Sequence, residues 1–202
     1  MRILAIETAT EACSIALFDQ GQLIDARHEV LGRGHAERLV PMIAELPEKG
    51  HAEQIRISLG PGSFTGVRIG LAVARALGVA WKIPVRGYPT LALVAAMARA
   101  GTERTVTVCM TGGHGEWFVQ DFGTDGMPLD DVASLTPDTA AVRRTQDVLA
   151  GTRAEDLGSM IGVASAPIIL PNASDALLVP DALLRDQLSP LYGRAPDAKL
   201  PM

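Results

Sequence analysis

The chain has 202 residues, 48% hydrophobic and 20% charged, with 20 Gly, 13 Pro and 4% aromatic residues, which excludes a disordered or collagen-like chain and predicts one large or two small globular domains. Eighteen Lys and Arg against 23 Asp and Glu leave a net charge of −5 with no basic run, an argument against tight, autonomous nucleic-acid binding. Cys13 and Cys109 belong to no CxxC pair, and the sequence shows neither an export signal nor an uncharged apolar run long enough to span a membrane, so a cytoplasmic protein with two buried free thiols and no zinc site is expected.

In chain order, residues 2–6 (RILAI), 13–18 (CSIALF) and 22–30 are separated by short polar turns, and three consecutive antiparallel strands are the economical reading. From His35 to Leu46, Leu39, Ile43 and Leu46 recur at helical spacing, although Pro41 limits the early backbone ladder. A buried strand at 55–59 (IRISL) runs into Gly60-Pro61-Gly62-Ser63-Phe64-Thr65-Gly66, beyond which Val67–Trp81 is free of proline and reads as a helix. An ungapped shift of 102 residues then aligns Arg2 with Arg104, Leu4 with Val106, Ile6 with Val108, Ile15 with Trp117, Asp19 with Asp121 and Gly21 with Gly123. Two lobes are expected from this duplication, residues 1–101 and a reduced second lobe with its tail at 102–202, each opening with a strand-turn-strand meander. Further on, Thr136 is a cap with Pro137 at the first helical position, short strands are expected near residues 160–170, and a helix opens at Pro180. The terminal SPLYGRAPDAKLPM holds three prolines and no periodic face, and reads as a tail or a docking strap.

The segment GPGSFTG lies between a strand and a helix, where exposed backbone N–H groups make a natural anion site and Ser63 or Thr65 can cap the helix. It is not a P-loop, having no Lys after its second glycine, nor a dinucleotide fingerprint, and a tight elbow that binds nothing reads equally well. Gly66, Gly70, Ala74 and Gly78 recur every four residues; such a stripe either packs on the chain's own sheet or admits a foreign helix, and the second reading makes it a subunit interface together with Leu39 and Ile43. His28, His35, His51 and His114 form no HxxxH or HExxH pair, and Ser63 lies outside a GxSxG elbow, so neither metal nor triad chemistry is expected. Glu7-Thr8-Ala9-Thr10 closes the first strand and Met110-Thr111-Gly112-Gly113 its copy. In a nucleotide phosphotransferase these turns would hold phosphates and a carboxylate would place Mg²⁺, but only Glu7 offers one here. Glu7, Thr8, Thr10, Gly60, Gly62, Ser63, Thr65, Gly112 and Gly113 are thus the candidate residues of a vestigial cleft, with no cofactor expected.

LAIETATEACSIALF, RGHAERLVPMI and above all LGPGSFTGVRIGLAVARALG resemble the bacterial tRNA threonylcarbamoyladenosine biosynthesis family TsaB, also called YeaZ, densely from Arg2 to about Leu93 and again in the terminal SPLYGR. The resemblance implies a two-lobed α/β fold of the actin-like, Hsp70-like ATPase class (ASKHA). It further implies a noncatalytic paralogue of TsaD that pairs with it through first-lobe helices. Together with TsaE, the pair moves a threonylcarbamoyl group to N6 of adenosine 37 in tRNAs reading ANN codons, so tRNA is met only through the complex. A homodimer is expected when TsaD is absent. The sequence departs from the family at Glu7, where Asp is usual, at Leu59, where Arg is common, and at Thr111-Gly112-Gly113-His114, where a D-A-R type turn is usual; all three are expected to change the charge facing the cleft. The rival reading is an autonomous ATP-dependent or hydrolytic, glycoprotease-like enzyme using Glu7, Thr8, Thr10, Ser63 and the Gly112-Gly113 turn.

Overall fold

The computed structural model describes residues 1–165 and 169–193. The N-terminal runs form an antiparallel meander of β1 (Arg2–Glu7), β2 (Ala12–Asp19) and β3 (Gln22–Val30); β1 also pairs in parallel with β4 (Gln54–Ser58), and β4 with β5 (Val85–Tyr88). The order β3-β2-β1-β4-β5 places β1 and β2 inside the sheet with both faces covered, which is why they read as nearly continuous apolar runs. The edge strand β3 instead exposes Leu23, Ile24 and Val30.

The second half repeats this topology in smaller form. β6 (Val106–Thr111), β7 (Trp117–Phe122) and β8 (Ala133–Leu135) form an antiparallel meander, and β9 (Val148–Ala150) adds in parallel to β6, giving the order β8-β7-β6-β9. The ungapped alignment of the two hairpins is corrected in register. Ile6 faces Ile15, but Trp117 faces Thr111, three residues beyond Val108, because the second turn, closed by Gly112 N–H on the Glu116 carbonyl, is differently built.

Between β3 and β4 runs α1 (His35–Glu45), and between β4 and β5 runs α2 (Phe64–Trp81). α2 starts three residues earlier than expected, inside GPGSFTG, because Ser63 caps it by accepting from the Gly66 N–H at 3.2 Å. Both helices lie on one face of the first sheet over Leu4, Ile6, Ile15, Ile55 and Ile57. On the other face, α3 (Thr90–Arg99) is buried from Thr90 to Ala96 and shares one core with Ala5, Tyr88, Val108, Phe118 and Phe122 of both sheets.

Several later expectations are corrected. α4 (Pro137–Ala141) does open at the Thr136 cap, which accepts from Thr139 N–H at 3.3 Å. Strands near 160–170 are absent among the described residues: α5 (Ala154–Ile161) occupies the start of that stretch, Gly162 ends it in a left-handed conformation, and residues 166–168 lie outside the described residues. After Pro180 comes only a single 3-10 turn, Asp181–Leu183. Residues 172–191 run back over the first sheet, where Ala173 N–H donates to Ser14 Oγ at 3.0 Å, Arg56 pairs with Asp181 at 3.0 Å, Arg185 bridges Gly87, and Leu191 N–H donates to the Leu59 carbonyl at 2.7 Å. The tail beyond Gly193, including Arg194, lies outside the described residues.

The small-residue stripe is the main correction. Gly66, Gly70, Ala74 and Gly78 do not await a foreign helix; all four are buried. A β-carbon on Gly66 would fall far inside van der Waals contact of the Thr8 carbonyl oxygen, one on Gly70 inside that of Thr8 Oγ1, and one on Gly78 would lie 2.5 Å from Val85 Cγ2. The missing side chains let α2 sit close on its own sheet, and Leu39 and Ile43 are core residues beneath α1.

Candidate functional site

A cleft of about 430 Å³ opens between the lobes. Thr10, Gly62 and Ser63 line it from the first lobe, and Gly112 and Gly113 from the second. Ala9, Glu11, Gly32, Pro61, Phe64, Met110, Thr111 and Thr152 complete the wall. Of these, Glu11 and Thr152 carry no motif that could have marked them, whereas Phe64 and Thr111 sat inside segments already of interest. Ser63 N–H donates to the Ala9 carbonyl at 2.6 Å and Thr8 Oγ1 to the Gly66 carbonyl at 2.8 Å, so GPGSFTG is an elbow bolted to the Glu7–Thr10 turn. The wall offers hydroxyls and a single carboxylate, Glu11, while nearby Arg153 donates to Thr111 Oγ1 at 3.1 Å and pairs with Asp156 at 2.8 Å.

Glu7, Thr8, Gly60 and Thr65 are not on this wall. Thr65 is exposed on the first turn of α2, and the other three are buried. Strand alternation puts Glu7 on the face of β1 that carries Ile3 and Ala5, toward α3. Its Oε1 accepts from the Ala9 N–H at 2.7 Å, and its Oε2 has no hydrogen-bond partner among the described residues. Burial pushes its carboxyl up from 4.5 to about 7 against the pull of that N–H. Leu59 is likewise fully buried, against Gly87, so two of the three departures from the family pattern lie in the lobe core rather than on the cleft wall. Burial also raises the Cys13 and Cys109 thiols, to about 11 and about 12, so neither is a thiolate near neutral pH.

The second feature is the solvent face of the helix pair. α1 exposes Ala36, Val40, Pro41 and Ala44 together with Glu37 and Glu45, and α2 exposes Ala72, Ala76, Val79 and Ala80 with Ile69 and Val73 half-buried. Val79 is 80% exposed and Val40 54%. An amphipathic core helix would place charge along the exposed face of α2. α2 has only Arg68 and Arg75, both on one flank.

Comparison with known proteins places these features. The family model described as TsaD, tRNA N6-adenosine threonylcarbamoyltransferase, matches residues 27–170. The tRNA threonylcarbamoyladenosine biosynthesis protein TsaB of Escherichia coli (strain K12) is 34% identical over 197 residues, covering 88% of this chain and 84% of that protein. YeaZ from Pseudomonas aeruginosa superposes with a TM-score of 0.79 at 30% identity over 95% of this chain and 99% of its own. The ethanolamine utilization protein EutJ from Carboxydothermus hydrogenoformans, at 12% identity and a TM-score of 0.51 over 89% of each chain, shares the fold alone. The two repeated sheets are the lobes of an actin-like ATPase fold. With its elbow sequence, repeated meander and full-length likeness to these relatives, the chain belongs to the TsaB (YeaZ) family of tRNA threonylcarbamoyladenosine biosynthesis proteins.

Proposed function

We propose that this chain is a noncatalytic subunit of the tRNA threonylcarbamoyl-transfer machinery: it docks on TsaD through the exposed face of α1 and α2, and with TsaE supports transfer to N6 of adenosine 37 in tRNAs reading ANN codons. The observation that carries the reading is the set of apolar side chains that α1 and α2 leave exposed, Val40 and Val79 above all, which water solvates poorly and a partner can cover. The docking residues are therefore not the stripe expected from sequence but the opposite side of the same helices. The withdrawal of Glu7 into the lobe interior supports the noncatalytic part, because the strand-end carboxylate that would anchor Mg²⁺ is turned away from the cleft. The subunit acts by binding the competent arrangement of TsaD more tightly than the incompetent one, which shifts the population toward it. With TsaD absent, the same face is covered by a second copy, and tRNA is contacted only through the complex.

Ala76→Glu tests this. Position 76 is exposed, so the isolated chain should unfold within about 0.5 kcal/mol of wild type. Burying the new carboxylate against an apolar partner is expected to abolish co-purification with the TsaD of the same organism and to reduce reconstituted tRNA modification to the level seen without this chain. Unaltered pairing and modification would overturn the docking assignment. Turnover of ATP with Mg²⁺ by the isolated chain, measured by calorimetry, would favour the enzymatic rival.

A further inference from the structure

α2 carries two arginines and no acidic residue in a chain whose net charge is −5. Most of the chain's other structured arginines end on carboxylates: Arg38 on Glu29 and Glu45, Arg56 on Asp181, Arg86 on Asp186, Arg143 on Asp121 and Arg153 on Asp156. Arg68 and Arg75 have only neutral contacts among the described residues. The Arg68 guanidinium stacks on the Phe64 ring at 3.6 Å and donates to the Tyr192 hydroxyl at 3.3 Å, while Arg75 donates to the Leu188 carbonyl. Seven residues apart, the two share one flank of the helix about 10 Å apart along its axis. Phe64 and Tyr192, each 56% exposed, stand at one end of this strip, beside the apolar face.

We propose that Arg68 and Arg75 determine the specificity of the docking face, each receiving a carboxylate from a different protein chain, which is TsaD if the docking reading above, on which this inference rests, is correct. A partner that covers the apolar face also removes water from this flank. The lower local dielectric then strengthens any ion pair and makes a guanidinium left on a neutral carbonyl costly, so a matching surface has to bring acceptors. The Phe64–Arg68–Tyr192 cluster has the aromatic and arginine composition of interface hot spots. A second copy fits this strip poorly. An antiparallel, two-fold pairing of α2 on α2 centred near Ala72 would set Arg68 opposite Arg75 of the other copy, with no carboxylate on either copy of α2 to separate them. Like charges facing each other across an interface discriminate against that partner.

The test measures binding of the full-length chain to the TsaD of the same organism, at low and high salt, for wild type, for Arg68→Glu/Arg75→Glu and for Ala76→Glu. The expected result is at least a tenfold loss of affinity for the double reversal at low salt, with wild type weakening as salt rises and the reversed chain losing that dependence. The Arg68→Lys/Arg75→Lys variant keeps the salt dependence. If Ala76→Glu abolishes binding while the double reversal binds like wild type, this inference is overturned and the docking face stands. If Ala76→Glu also binds like wild type, the docking reading falls and takes the inference with it. Wild type associating with itself more tightly than with TsaD overturns the choice of partner. Should the double reversal fail to fold, a wild-type affinity that ignores salt overturns the inference, and one that falls with salt supports it.

Discussion

Gly66→Ala is expected to destabilise the chain by roughly 3 kcal/mol or more, although helix propensity alone predicts a gain of about 1 kcal/mol from replacing a helical glycine by alanine. Contact with backbone decides the sign. The new methyl group would overlap the Thr8 carbonyl oxygen, and the same turn holds the Thr8 Oγ1 hydrogen bond to the Gly66 carbonyl. Thr8 has little room to retreat, since it follows directly on β1, a strand hydrogen-bonded on both edges, and Ala9 beyond it is tied to Glu7 and Ser63. Gly70→Leu, which drives four carbons toward Thr8 and Ile57, is expected to leave no soluble folded chain. Gly113→Ala is the matched control: its β-carbon meets nothing within 4 Å and the variant should unfold within about 0.5 kcal/mol of wild type. Urea unfolding reads all three. A Gly66→Ala variant at least as stable as wild type would show that α2 does not rest on Thr8 as described.

The same stripe marks the limit of what the sequence makes legible. Small residues every four positions announce close packing, but nothing local says whether the other surface belongs to the same chain. α2 is apolar on nearly every side, so Val67 and Leu71, which are buried, look no different from Val73, which is half-buried, and Val79, which faces solvent. α3 carries no sequence signal for a related reason: buried from Thr90 to Ala96, it has no polar face and therefore no period. β9, at three residues, is too short for alternation to register. The first meander is readable because its turns carry polar residues and glycine; on the cleft wall, Thr10 and Gly113 sit on the repeated turn, which survives a three-residue error in hairpin register, and Ser63 on the elbow. Glu7 was misplaced by its nearness to that turn. The apolar run before it already implied a strand covered on both faces, and alternation then leaves its last side chain no route to the cleft.

That buried carboxyl predicts an unusual dependence of stability on pH. Its folded pKa, about 7, is raised above the ordinary 4.5, so between these values the folded chain holds a proton that the unfolded chain has released. The stabilisation is complete below about 4.5 and is lost as pH rises through 7, a loss of roughly 3 kcal/mol at 1.36 kcal/mol per unit. Carboxylates tied to arginines behave oppositely: Asp25 beside Arg27, and Glu29 and Glu45 beside Arg38, are held below the usual range and lose their contribution only as pH falls through it. Half-buried Asp175 is raised by desolvation and adds to the downward slope with pH. Glu7→Gln isolates the one group. Its amide oxygen still accepts from the Ala9 N–H, its amide hydrogens can turn toward the buried hydroxyl of Ser58 beside it, and it does not titrate. Near pH 5 the variant and wild type should unfold within about 0.5 kcal/mol of each other; near pH 8 the variant should be more stable by up to ~3 kcal/mol, because only wild type must then bury a charge whose Oε2 has no partner among the described residues. Parallel pH profiles for the two chains would mean that Glu7 is solvated, and a strand-end carboxylate reaching water would return it to the cleft.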